Sequence, residues 1–140
     1  MEREILFKRE ILFRGKTLSG KWVEGIYSPY NWDIDLVREN KPQIIILSEN
    51  KDDIDGLWCD IIPETAGQYT GLIDKNGTKI FEGDIVRYGD TIHEVVFEQR
   101  NGTAYFGLVY SESETLPFGH YQDLRQIEVI GNIYDNGYPF

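Results

Sequence analysis

The chain has 140 residues, 24 acidic and 14 basic side chains, and a formal net charge of −10. That acidity argues against a general nucleic-acid binder, whose phosphate contacts need a basic face. The length fits one domain, or two small lobes sharing a core. No apolar run approaches the roughly 18 residues of a transmembrane helix, and residues 1–14 carry Glu, Lys and Arg throughout, so neither a membrane span nor a secretory leader is expected. The single cysteine, Cys59, makes no internal disulfide and suits a reducing cytoplasm. Three Trp, nine Tyr and seven Phe against one Met predict a core built on large rings, which suits β-structure.

The N-terminus holds a tandem repeat: Arg3-Glu4-Ile5-Leu6-Phe7-Lys8 is followed at once by Arg9-Glu10-Ile11-Leu12-Phe13-Arg14. Because six is a multiple of two, a strand would put Ile5, Phe7, Ile11 and Phe13 on one face. A helix would rotate the second copy by about 240° and separate the apolar patches. A strand is therefore expected, and the plainest explanation of the repeat is a duplication that lengthens a terminal arm. Beyond Gly15 and Gly20, residues 21–27 alternate as a second strand. Residues 28–42, broken by Pro29 and Pro42, read as an irregular segment. Gln43–Leu47 is a short apolar run of the kind found in buried strands. After an acidic turn over 48–56, a further strand is expected at 57–62, and a turn or short helix start at 63–65.

From Gln68 the punctuation becomes regular. Asn76-Gly77 is expected to form a two-residue hairpin turn with both residues at positive φ. Strands follow at 84–88, 91–97 and 103–110, separated by Gly89-Asp90 and Asn101-Gly102. A polar loop covers 111–120 and a last strand 126–130. Short strands joined by glycine-containing turns predict a small antiparallel barrel or roll.

Catalytic signatures are missing: there is no nucleophile elbow, zinc-binding His pair, phosphate loop or cysteine pair. No catalytic, cofactor-binding or metal-binding residue is assigned, and no cofactor is expected. His93 sits in an alternating strand and reads as structural, and Cys59 reads as a small buried hydrophobe. Lys51–Gly56 looks superficially like a calcium loop, but its first and last ligand positions would fall on Lys51 and Ile62. Asp33 and Asp35 could face one way on a strand, though a solvated face explains them better. Residues 81–140 carry ten acidic and three basic side chains, a surface that would repel phosphate.

The block Pro63-Glu64-Thr65-Ala66-Gly67-Gln68-Tyr69-Thr70-Gly71-Leu72-Ile73-Asp74-Lys75-Asn76-Gly77-Thr78-Lys79-Ile80-Phe81-Glu82-Gly83-Asp84-Ile85-Val86 resembles the YopX family of phage and prophage proteins. Residues 9–16, 20–25 and 127–134 resemble its flanking segments in the same order. The resemblance implies a mainly β chain: a small N-terminal β-rich part (1–62, with the terminal arm) and a C-terminal SH3-like antiparallel β-barrel or roll (63–140), the two sharing one compact unit. It implies no established activity or ligand. It sets the first repeat copy, residues 3–8, apart as the added one.

Within the block, Gln68, Tyr69 and Thr70 have the residue types of a tight crossing. Together with Trp22 they are the candidate binding surface, weighed against a purely structural role. The expected function is a non-enzymatic accessory module of the bacterial cytoplasm that binds a protein partner, a second copy of itself included. The alternative is a nucleic-acid-related role, by direct binding through the barrel or by acidic mimicry of DNA; a small metal-dependent enzyme ranks third. The charge is segregated: residues 1–21 hold six basic and three acidic side chains, against eight and 21 over residues 22–140. A basic, apolar arm on an acidic body suits docking between copies.

Overall fold

A computed structural model of the chain describes residues 10–29, 31–32, 38–39, 41–46, 57–119 and 122–137. In chain order the strands are β1 (Phe13–Lys16), β2 (Trp22–Ser28), β3 (Asn31–Trp32), β4 (Arg38–Glu39), β5 (Gln43–Ile46), β6 (Leu57–Asp60), β7 (Gly67–Ile73), β8 (Lys79–Phe81), β9 (Asp84–Tyr88), β10 (Thr91–Arg100), β11 (Thr103–Ser111), β12 (Glu114–Pro117) and β13 (Ile127–Asn132). Short 3-10 turns at Pro63–Thr65 and Leu124–Gln126 and one helical turn, α1 (Ile133–Asn136), complete the described residues. The chain is mainly β, as its rings and turn spacing predict.

Six strands form one antiparallel sheet in the order β6-β5-β2-β1-β7-β8, and five form a second in the order β12-β11-β10-β9-β13. β3 and β4 make a small separate ladder inside the segment expected to be irregular. The second sheet is open. β12 and β13 lie at opposite edges and no ladder among the described residues joins them, so the expected barrel closure is not found. β12 itself lies in the stretch expected to be a polar loop. It is a short edge strand whose order comes from pairing with β11.

The N-terminal repeat lies mostly outside the described residues. Within its second copy, Phe13 begins β1 and stacks on Tyr27 at 5.0 Å, whereas Ile11 precedes the strand and is 59% exposed. The shared apolar face therefore breaks where strand pairing starts. In β2, Gly25 is required by close approach: a Cβ there would lie 2.0 Å from the Ile45 carbonyl oxygen of the neighbouring strand. Gly25→Ala is expected to cost about 1–3 kcal/mol by pushing β2 from β5, which urea denaturation would measure.

The two Asn-Gly turns differ. Asn101 and Gly102 both have positive φ, 52° and 79°, matching a two-residue hairpin turn. At Asn76-Gly77 only Gly77 does, at 80°. The expected turn is replaced by a longer one because the Asp74 carboxylate intervenes: its Oδ1 accepts from the backbone N–H of Asn76 at 2.8 Å and of Thr78 at 2.9 Å.

Two apolar clusters result. Val23, Ile44 and Ile61 are buried in the first, with Phe13, Tyr27, Ile46, Cys59 and Ala66 packed on them. Ile80, Val86, Val95, Leu108 and Ile127, all fully buried, form the second, with Leu72, Tyr88, Phe118, Leu124 and Val129 around it. The β7–β8 hairpin pairs into the first sheet through β1, yet sends Leu72 and Ile80 into the second cluster.

Candidate functional site

The site is built on the face of the first sheet opposite Val23. Alternation along β2 puts Trp22, Glu24 and Ile26 on that face. Arg14 of β1 pairs directly with Glu24 and with Gly67 of β7, and Tyr69 follows two residues later, paired with Phe81 of β8. Four strands far apart in sequence thus bring Trp22, Arg14, Tyr69 and Phe81 together. The Arg14 guanidinium carbon lies 4.8 Å from the Trp22 ring centre and 4.9 Å from that of Phe81. Tyr69 and Phe81 are 5.5 Å apart, and the Lys79 ammonium stands 5.7 Å over Tyr69. A groove of about 480 Å³ lies here, lined by Arg14, Trp22, Glu24, Gly77, Thr78, Lys79 and Phe81.

Beneath the rings Arg14 meets Asp84. Its Nη2 lies 2.6 Å from Asp84 Oδ1, with side-chain exposures of 12% and 1%. Arg14 Nε and Nη2 and Asp84 Oδ1 are buried with no other hydrogen-bond partner among the described residues, so they depend on this ion pair. The other carboxylate oxygen accepts the Phe81 N–H at 2.7 Å. Burial pushes the Asp84 carboxyl above its usual range, and the Arg14 charge only partly opposes it.

The rim is closed by α1. Asp135 accepts from Lys16 Nζ at 2.6 Å, from Trp22 Nε1 at 2.8 Å and from Asn132 Nδ2 at 3.1 Å. Those donors, Lys16 foremost, hold its carboxyl down to about 2. Tyr134 lies 6.1 Å from Trp22, and its ring occupies the space that a Cβ on Gly83 would need. A depressed folded-state value stabilises the protein above the unfolded carboxyl range and is lost as pH falls through it. Asp135→Asn is therefore expected to flatten the loss of stability between pH 4 and about 2. The effect should be below about 1 kcal/mol because the pair is solvent-accessible. Thermal melts of the two proteins across that range would measure it.

Of the candidate residues, Trp22 and Tyr69 share this face, Trp22 half-buried and Tyr69 buried. Gln68 and Thr70 fall on the opposite side of β7. The Thr70 hydroxyl donates to the Ile80 carbonyl at 2.8 Å and accepts from Leu72 N–H, bracing the hairpin. His93 is buried, with Nδ1 2.9 Å from the Val109 carbonyl oxygen and Nε2 2.7 Å from Thr91 Oγ1. Among the described residues no three His, Cys, Asp or Glu converge as a metal site, and no helix is long and apolar enough to cross a membrane.

A family model described as YopX protein matches residues 13–138. The chain belongs to the YopX family. No curated protein matches it. The YopX match opens at Phe13, where β1 begins, so residues 3–8 lie outside it.

One further feature of this YopX chain was not signalled by any motif. Ile26, Ile45 and Trp58 are direct cross-strand neighbours on β2, β5 and β6, forming an apolar stripe across the same face. Ile26 is 48% and Trp58 53% exposed. On one side Gln43 Nε2 donates to Asp60 at 2.7 Å; on the other stands Glu24. In the sequence Trp58 is one ring of an expected strand, and the register reveals the row it forms.

Proposed function

We propose that this YopX protein is a non-enzymatic accessory module of a phage or prophage, working in the host cytoplasm by binding protein partners, a second copy of itself among them. The Ile26–Ile45–Trp58 stripe carries the reading. It is apolar, is flanked by polar groups and ends at edge strand β6, with a tryptophan of the type that anchors protein interfaces. Groups beside the stripe that could do chemistry are committed within the chain: Arg14 to Asp84, and Lys16 and Trp22 to Asp135. These ion pairs also revise the electrostatic picture, because two of the six basic side chains in residues 1–21 are satisfied internally.

The test is capture of partners from a host lysate by the full chain and by an Ile26→Ser/Trp58→Ser variant, read by mass spectrometry beside circular dichroism. A partner retained by the parent and lost by the folded variant bears the reading out. Identical captures, or none, would reject the stripe as a binding surface.

A further inference from the structure

Glycine has no side chain to shield its backbone nitrogen, so an asparagine that precedes glycine is open to attack by its own main chain. The chain holds three such sequences: Asn76-Gly77, Asn101-Gly102 and Asn136-Gly137. Attack needs two freedoms. The glycine N–H must be unengaged, and the asparagine side chain must be able to swing its Cγ onto that nitrogen. The fold distributes these freedoms unequally. Gly77 N–H donates to the Asp74 carbonyl at 3.0 Å, in a turn that the buried Asp74 carboxylate also ties at Asn76 and Thr78. Gly137 N–H donates to the Ile133 carbonyl at 3.1 Å, and Asn136 Oδ1 itself accepts the Asn132 N–H at 3.2 Å. At the third sequence, β10 and β11 pair directly through Arg100 and Thr103, so the hairpin closes across the dipeptide without using it. Asn101 and Gly102 are both exposed, and the Gly102 N–H has no acceptor among the described residues. Asn101 is also the one non-glycine residue there held at positive φ.

We propose that Asn101 is a self-modification site, converted to aspartate and isoaspartate by the chain's own backbone and water. The Gly102 nitrogen gives up its proton and attacks Asn101 Cγ. A C–N bond forms, the Cγ–Nδ2 bond breaks, and the side-chain amide takes up a proton and leaves as ammonia. The product is a cyclic imide. Water then adds to one of its two carbonyls: opening at Cγ gives aspartate, and opening at the main-chain carbonyl gives isoaspartate. No oxidant or reductant is involved. Either product sets a carboxylate at the hairpin tip, next to Arg100, whose guanidinium meets Glu98 at 3.4 Å. Isoaspartate also adds one atom to the main chain of a two-residue turn. Turn length fixes register in a hairpin, so that product displaces Thr103 from its place opposite Arg100.

The experiment incubates the full chain in warm, mildly alkaline buffer, folded and in concentrated urea. Peptide mapping by mass spectrometry follows conversion at each of the three asparagines, and an isoaspartate-specific methyltransferase label separates the two products. In the folded chain Asn101 is expected to convert about tenfold faster than Asn76 or Asn136, or more, because their glycine amides react only from locally opened states. In urea the three rates should converge, since every one of these asparagines then has the same neighbour and no fold to hold it. Conversion at Asn101 should quicken as pH rises, because the attacking nitrogen must lose its proton, and should yield isoaspartate beside aspartate. Equal rates at the three sites in the folded chain would overturn the proposal, as would an Asn101 that stays intact when folded yet converts in urea. Aspartate formed with no isoaspartate would mean direct hydrolysis of the side chain and would overturn the imide route.

Discussion

Arg14→Met is expected to cost about 3–5 kcal/mol of folding stability in urea denaturation. The substitution keeps an unbranched side chain between Trp22 and Phe81 but leaves the Asp84 carboxylate, 1% exposed, with only the Phe81 N–H as its partner. Breaking a buried pair from one side leaves an uncompensated charge, a larger penalty than the pair's own net contribution. The sign with pH follows from burial raising the Asp84 carboxyl. The folded state holds that proton more tightly than the unfolded one, so the cost of the charge grows as pH rises through the folded-state value. The deficit of Arg14→Met should therefore narrow on acidification, and adding Asp84→Asn should recover part of it at neutral pH. A loss below about 1 kcal/mol would mean that the ion pair is not buried as described.

Asp74→Ala should be comparably damaging, about 3–5 kcal/mol. Asp74 is 5% exposed and accepts three backbone N–H groups: Asn76 and Thr78 in its own turn, and Val129 at 2.9 Å on β13. Alanine would orphan all three and unfasten the β7–β8 turn from the second sheet. Burial alone would raise this carboxyl, but the three donors outweigh it and hold it below the usual range. Its stabilisation is thus present above the unfolded-state value and fades as pH falls through the folded one. Asp74→Asn keeps one acceptor oxygen, so it should lose less and weaken the acid dependence; equilibrium denaturation at pH 7 and pH 3 would separate the three proteins.

Much of the fold is legible in the residue pattern. Alternation marks β2 and β10, each with a buried face that imposes period two; glycine turns delimit β9, β11 and β13, and a short apolar run marks β5. β12 is not legible: its Glu-Thr-Leu-Pro sequence lies at a sheet edge, where pairing with β11 supplies the order that composition does not. Nor is α1, whose four residues are held by the Asn132 side chain accepting from Tyr134 and Asp135 N–H. The site is less legible still. Trp22 and Tyr69 stand out as rings, but their meeting depends on the register of β1, β2, β7 and β8. Arg14 and Lys16 read as charges of a basic arm suited to docking between copies, whereas the structure turns both toward carboxylates of their own chain, 70 and 119 positions away. Sequence spacing carries no trace of such pairs.

The β7–β8 hairpin, which lends Tyr69 and Phe81 to one sheet and Leu72 and Ile80 to the other cluster, bears on how the molecule comes apart. Neither half can shed its structure without uncovering groups on which its neighbour depends. Heat should therefore dissolve both in one transition, with calorimetric and van't Hoff enthalpies in agreement. The amides of this hairpin should rank among the last to exchange with solvent, making it the keystone through which a disturbance at either end is felt at the other.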